Sequence, residues 1–185
     1  MIKPGITEAI RIYQSQRKVC NLYFRYQRGY FVNLVPLACA DSLFLCAQET
    51  NFLLDGFTVR RFKDVLKVKA VSDKCDEILR CEGILDGLAV PDIDLNSWQT
   101  VFESLRRLHK NVIVEKETPD GHDEIFVMGR IVELQPRHLL LRHFDADGVW
   151  QREPFRIAYS ALTSITFGSR YVEVFSRYIS EPPEK

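Results

Sequence analysis

Hydrophobic positions along the chain change their period partway through each half. Residues 97–109 place Trp98, Val101, Phe102, Leu105 and Leu108 at helical spacing, with Glu103, Arg106 and Arg107 on the other faces. One stripe is apolar and the rest is wetted, which predicts a helix over 97–109 with Asn96 and Gln99 as its N-terminal cap. After it the pattern becomes strand-like. Asn111–Glu115 precedes an Asp120-Gly121 turn, and Glu124–Leu134 carries Gly129 in its middle, where a strand bends or bulges. His138–Phe144 follows the break at Pro136, and Asp145–Gly148 supplies a second turn. Val149–Arg152, Phe155–Ala158, Leu162–Phe167 and Tyr171–Phe175 complete a run of short strands. Their phase predicts Leu140, Phe155, Ile157 and Ile165 as inward-facing positions.

The first half repeats this plan. Thr7 is placed to cap a helix with Ile10 and Tyr13 on one side. Val19–Tyr26 and Tyr30–Leu37 flank an Arg28-Gly29 turn, and Pro36 breaks the second of these strands. Leu43–Leu45 corresponds to Leu139–Leu141, Phe57–Val59 to Phe155–Ile157, and Val65 with Val68 to Leu162 with Ile165. An offset of about 96–98 residues that persists through small gaps is the pattern of a tandem duplication. The expected fold class is mainly β with short helices: two tandem small barrels, each preceded by a helix. The boundaries expected are an N-terminal barrel over 1–80, a packed connector over 81–96, a C-terminal barrel over 97–180 and a tail at 181–185. The connector mixes turn residues with apolar Ile84, Leu85, Leu88 and Val90, so it reads as packed rather than free.

Val112 and Val114, Asp120-Gly121, Gly129, Ile131-Val132 and Leu139–Leu141 follow one another in the order of the first motif of the Sm-like small barrels, and Ile165–Gly168 resembles the second motif. The second half, from Ser97 to Phe175, therefore resembles the Sm-like family, and the first half matches more loosely. The resemblance implies a helix leading into a bent five-stranded sheet in each half, a barrel of the Sm-like or SH3-like kind. The family's RNA-contacting Asp and Asn would fall near Gln135 and His138, and its Arg at Phe167. The resemblance thus implies the barrel without those polar groups.

Composition narrows the class. Of 185 residues, 46% are hydrophobic and 11% aromatic, which excludes a disordered chain. The longest apolar candidate, Phe31–Leu45, is interrupted by Pro36 and Asp41, so no membrane span is expected. Met1–Gly5 leads into a polar stretch, and no signal peptide is expected. Five cysteines form no Cys-x-x-Cys pair and read as reduced thiols of a cytoplasmic protein. The net charge of zero hides an asymmetry: residues 1–74 hold 12 basic and 6 acidic side chains, residues 75–185 hold 13 and 19. A basic face for an anionic partner, or attraction between the halves, would each account for it.

Motifs for catalysis are not assembled in the sequence. His138 and His143 are five apart and alternate across a strand, so they do not converge on one ion. Asp120, His122 and Asp123 read as a solvated hairpin tip, and Asp145-x-Asp147-Gly148 lacks the closing ligands of a calcium loop. Neither a nucleophile elbow nor a phosphate loop occurs, and Cys20 shares an apolar phase with Leu22, Phe24 and Tyr26. No metal and no cofactor are expected, and the chain reads as a non-enzyme. Tyr23, Arg25 and Arg28 interleave aromatic and basic groups, and Arg60, Arg61 and Lys63 would extend that surface. Such residues stack on bases and neutralise phosphates, although solvated barrel strands contain them too. The expected function is a non-enzymatic interaction or regulatory protein with an unidentified protein partner. The alternatives are an RNA or single-stranded nucleic-acid module using the basic N-terminal half, and an enzyme with a site between the barrels.

Overall fold

The computed structural model describes residues 4–181; residues 182–185 of the expected tail lie outside the described residues, as does the chain before Pro4. The first half contains α1 (Pro4–Gln16), β1 (Cys20–Phe24), β2 (Val32–Cys39), β3 (Leu43–Thr50), β4 (Leu53–Arg61), a short 3₁₀ turn at Phe62–Asp64, β5 (Val65–Ala70) and α2 (Asp73–Cys81). The second contains α3 (Trp98–Arg106), β6 (Asn111–Lys116), β7 (Ile125–Leu134), β8 (His138–His143), β9 (Phe155–Ala158), β10 (Ser164–Phe167) and α4 (Arg170–Tyr178). The molecule is mainly β. Its strands form one open antiparallel sheet in the order β5-β1-β2-β3-β4-β10-β6-β7-β8-β9.

Within each half the fifth strand returns to pair with the first, β5 with β1 and β10 with β6. Both halves also shift register in their second strand, between Pro36 and Ala38 and between Ile131 and Glu133. The halves meet where β4 pairs β10, with Phe57 opposite Phe167, Val59 opposite Ile165 and Arg60 opposite Ser164. The two outer edges are therefore β5 and β9.

Strand alternation splits the first half into two buried faces. Cys20, Leu22, Leu34, Phe44 and Cys46 form one core with Ile6 and Ile10 of α1. Val35, Leu37, Leu43, Leu45 and Val59 face the other way, in the cluster that contains Leu79 of α2 and Leu85, Leu88 and Leu95 of the connector. That cluster continues across the junction into Val114, Ile165, Leu139 and Leu141, under Val101, Phe102 and Leu105 of α3. At about 1.5–3 kcal/mol for each fully buried large side chain, this shared core ties the two halves together. On the far side of the second half, Ile113, Met128 and Phe144 pack with Val172 of α4.

Several expectations are corrected. Tyr171–Phe175 is not a strand but part of α4, because Ser169 caps the backbone at Val172, while Val172, Phe175 and Ile179 make one apolar stripe at helical spacing. Val149–Arg152 is not a strand either; only Trp150 bridges, to Phe144, and its indole donates to the Ser180 carbonyl at 2.8 Å. The helix expected over 97–109 stops at Arg106, and its cap is Ser97, in a reciprocal box with Thr100, rather than Asn96 with Gln99. Thr7 lies inside α1 rather than at its cap. Pro36 does not break β2, which runs on to Cys39 past the register shift. Leu139 and Leu141 point inward rather than Leu140, a one-residue change of phase that exchanges faces. Helix α2 was not expected; it is mostly polar, with Leu79 its single buried residue.

Candidate functional site

The six residues expected to form a nucleic-acid surface are distributed among different structural roles. Tyr23 packs against Phe31 with ring centroids 5.6 Å apart, and the Lys67 ammonium sits 5.2 Å above its ring. Arg25 lies 3.5 Å from Asp64 and donates to the Lys63 carbonyl at 2.8 Å. Arg28 donates to the Asp120 carbonyl at 2.5 Å, reaching from the first half to the β6–β7 turn. Arg61 donates to Asp64 at 2.5 Å. Arg60 is buried, its guanidinium 2.6 Å from Glu117 and 5.0 Å over the Phe24 ring. These contacts engage four of the five basic groups inside the molecule, three in ion pairs and Arg28 through a backbone carbonyl; the Lys63 side chain makes neither an ion pair nor a hydrogen bond among the described residues.

Arg60 instead anchors a polar cluster at the junction. Glu117 also accepts from Thr163 at 2.9 Å, and the Ser164 hydroxyl donates to Glu115. Burial pulls the Arg60 guanidinium down, but Glu117, Tyr26 and Glu115 outweigh it and leave its pKa raised. Burial lifts the Glu117 carboxyl, opposed by Arg60 and assisted by Glu115, and the net direction is up. The cluster is a clamp, because its members come from both halves.

A cleft of about 490 Å³ lies between the halves, lined by Leu43, Arg61 and Lys63 on one side and Trp98, Pro136 and Tyr159 on the other. Its titratable groups are Arg61, Lys63 and Tyr159, the last held above the ordinary phenol range by burial and then by Glu103. No carboxylate, histidine or thiol is among its lining residues. Likewise, no group of three or more potential metal ligands occurs among the described residues. Among the described residues, no helix is long and apolar enough to cross a membrane.

Exposed apolar side chains flank the β1–β2 and β3–β4 turns at one end of the first half. Tyr30 is 78% and Leu53 67% exposed, with Phe31 and Phe52 beside them. Asn51 and Phe52 form a two-residue turn with φ of 52° and 63°. Such turns favour Asn followed by Gly, so Phe52 holds a conformation that costs an aromatic residue about 1–3 kcal/mol. Beneath Phe31 and Phe52 lies a pocket of about 310 Å³ with Asn21, Asn33 and Glu49 among its lining residues. Asn21 donates to Asn33 at 2.6 Å, and Asn33 donates to Glu49 at 2.8 Å. The Phe52 amide donates to the other Glu49 oxygen at 2.7 Å.

Sequence reasoning missed this pocket. The available signal was three polar residues, Asn21, Asn33 and Glu49, on successive apolar strands, but only the register brings them side by side. No family model, curated protein or solved structure matches this chain.

Proposed function

We propose that this chain is a non-enzymatic interaction protein built from two tandem Sm-like small barrels, residues 1–80 and 97–180. In this reading each barrel is a helix and five strands, and the barrels are fused through β4 and β10. The observation that carries the reading is the pair Phe31 and Phe52, two half-exposed aromatic side chains that line one pocket at the end of the first half's sheet, with Tyr30 and Leu53 exposed next to them in the chain. Exposed apolar surface of this kind marks protein-binding faces. The strain held at Phe52 supports the same reading, since a glycine there would relax the turn but remove the ring. The test is a photo-crosslinking residue in place of Tyr30, with a control at exposed Glu8 on α1. A discrete protein adduct from position 30 alone is expected; adducts from both positions, or from neither, would overturn the reading.

The inter-half cleft favours a second reading, a single-stranded RNA module, because it combines Lys63 and Arg61 with Trp98 and Tyr159. The internal pairing of Arg25, Arg28 and Arg60 supports the first reading over it. RNA binding at physiological salt that weakens in Lys63→Ala, with a shallower salt slope, would reverse that order.

A further inference from the structure

We propose that the pocket beneath Phe31 and Phe52 recognises a guanidinium group, presented by an arginine side chain of a protein partner. The inference rests on the interaction reading and names the chemistry of the partner. Glu49 is only 8% exposed, yet it lines an open pocket. Both of its hydrogen-bond donors, Asn33 and the Phe52 amide, are neutral. Among the described residues no Lys, Arg or His nitrogen lies within 4.0 Å of its carboxylate, whereas buried Asp64 has two arginines and Glu117 has Arg60. A desolvated carboxylate with only neutral partners lacks its counter-ion, and each of its oxygens keeps a further lone pair for one.

The aromatic wall favours the same sign of charge. Phe31 and Phe52 line the pocket with rings whose faces attract cations, and the Asn21 and Asn33 carboxamides each direct one N–H into a chain of hydrogen bonds that ends on Glu49. A single carboxylate is too few ligands for a structural divalent ion. A planar guanidinium is more weakly hydrated than an ammonium, stacks on aromatic rings and offers two parallel donors to one carboxylate. Phe31 and Phe52 themselves stay 51% and 41% exposed at the pocket, apolar area that a free small cation would leave uncovered and a polypeptide would cover.

The experiment is an amide chemical-shift titration of the full chain with acetyl-Gly-Arg-Gly-amide, with its lysine and citrulline counterparts, and with agmatine. Shifts are expected at Asn21, Asn33, Glu49, Phe52 and Cys75 of α2, which also lines the pocket, with the citrulline peptide about ten-fold weaker, lysine a few-fold weaker and agmatine weaker than the arginine peptide. Glu49→Gln should lower arginine-peptide affinity about ten-fold while its spectrum stays that of a folded protein. Phe52→Gly, which relaxes the turn, keeps the test open if Glu49→Gln fails to fold, and should also weaken binding. Equal binding of arginine and citrulline peptides, or no shifts at these residues, would overturn the site. Agmatine binding as tightly as the peptide would overturn the polypeptide partner. Failure here is separable from failure of the interaction reading, because the Tyr30 cross-link does not depend on Glu49.

Discussion

Val59 and Ile165 stand directly opposite each other where β4 pairs β10, both fully buried. Their row continues to Val114 on β6, so the face of the first half that packs on the connector is continuous with the face of the second half under α3. Ile165→Asp therefore should not melt the second half alone. An unpaired buried carboxylate costs several kcal/mol, on the order of the whole stability, so both halves should unfold in one transition. Differential scanning calorimetry checks this; a surviving transition from an intact first half would show that the halves are separate units.

The Arg60–Glu117 clamp makes a second prediction. Glu117→Gln or Arg60→Met should each destabilise by about 3–5 kcal/mol, because each leaves a buried group without its partner. Replacing both together should cost less than the sum, which a double-mutant cycle in urea measures.

Thiol titration tests the packing of the first core. Burial pushes Cys20 up to about 12 and Cys46 upward as well. Unfolded thiols ionise near 9.0, while the native ones stay protonated. Their contribution is thus fully present below that ordinary value and is lost as pH rises through the folded value. Stability should fall above about pH 9, and less steeply in Cys20→Ala. In native protein, exposed Cys81 should react with an alkylating reagent long before Cys20 or Cys46.

Gly129 allows β7 to approach β8. A Cβ there would lie 2.0 Å from the Arg142 carbonyl oxygen and 2.8 Å from the His143 Cα, both backbone atoms. Gly129→Ala should cost about 1–3 kcal/mol by forcing the strands apart, read as a lower urea midpoint at unchanged slope.

Much of the fold was legible because burial alternates with the period of the elements. The stripe from Trp98 to Leu105 and the alternation around Cys20, Leu22 and Phe24 needed no tertiary information. Tyr171–Phe175 misled because its two valines alternate like a strand, and the deciding contacts, to Ile113 and Phe144, are distant in sequence. Leu139, Leu140 and Leu141 are chemically identical, so only pairing to β7 and β9 sets which of them face inward. The basic residues were legible as charges but not as partners: Arg60 meets Glu117 from the other half, and Arg28 meets the carbonyl of Asp120. Glu49 gave no local signal, since its meaning depends on Asn33 and on the turn at Phe52.

The interaction reading is tested most directly by the size of the protein in its native extract. Size-exclusion chromatography of the tagged wild type and of Phe31→Asp/Phe52→Asp, run from matched extracts, compares the two. The account predicts that the wild type elutes in a larger complex and that the folded double variant elutes at monomer size. Elution of both at monomer size, or of both in the same larger complex, would contradict it.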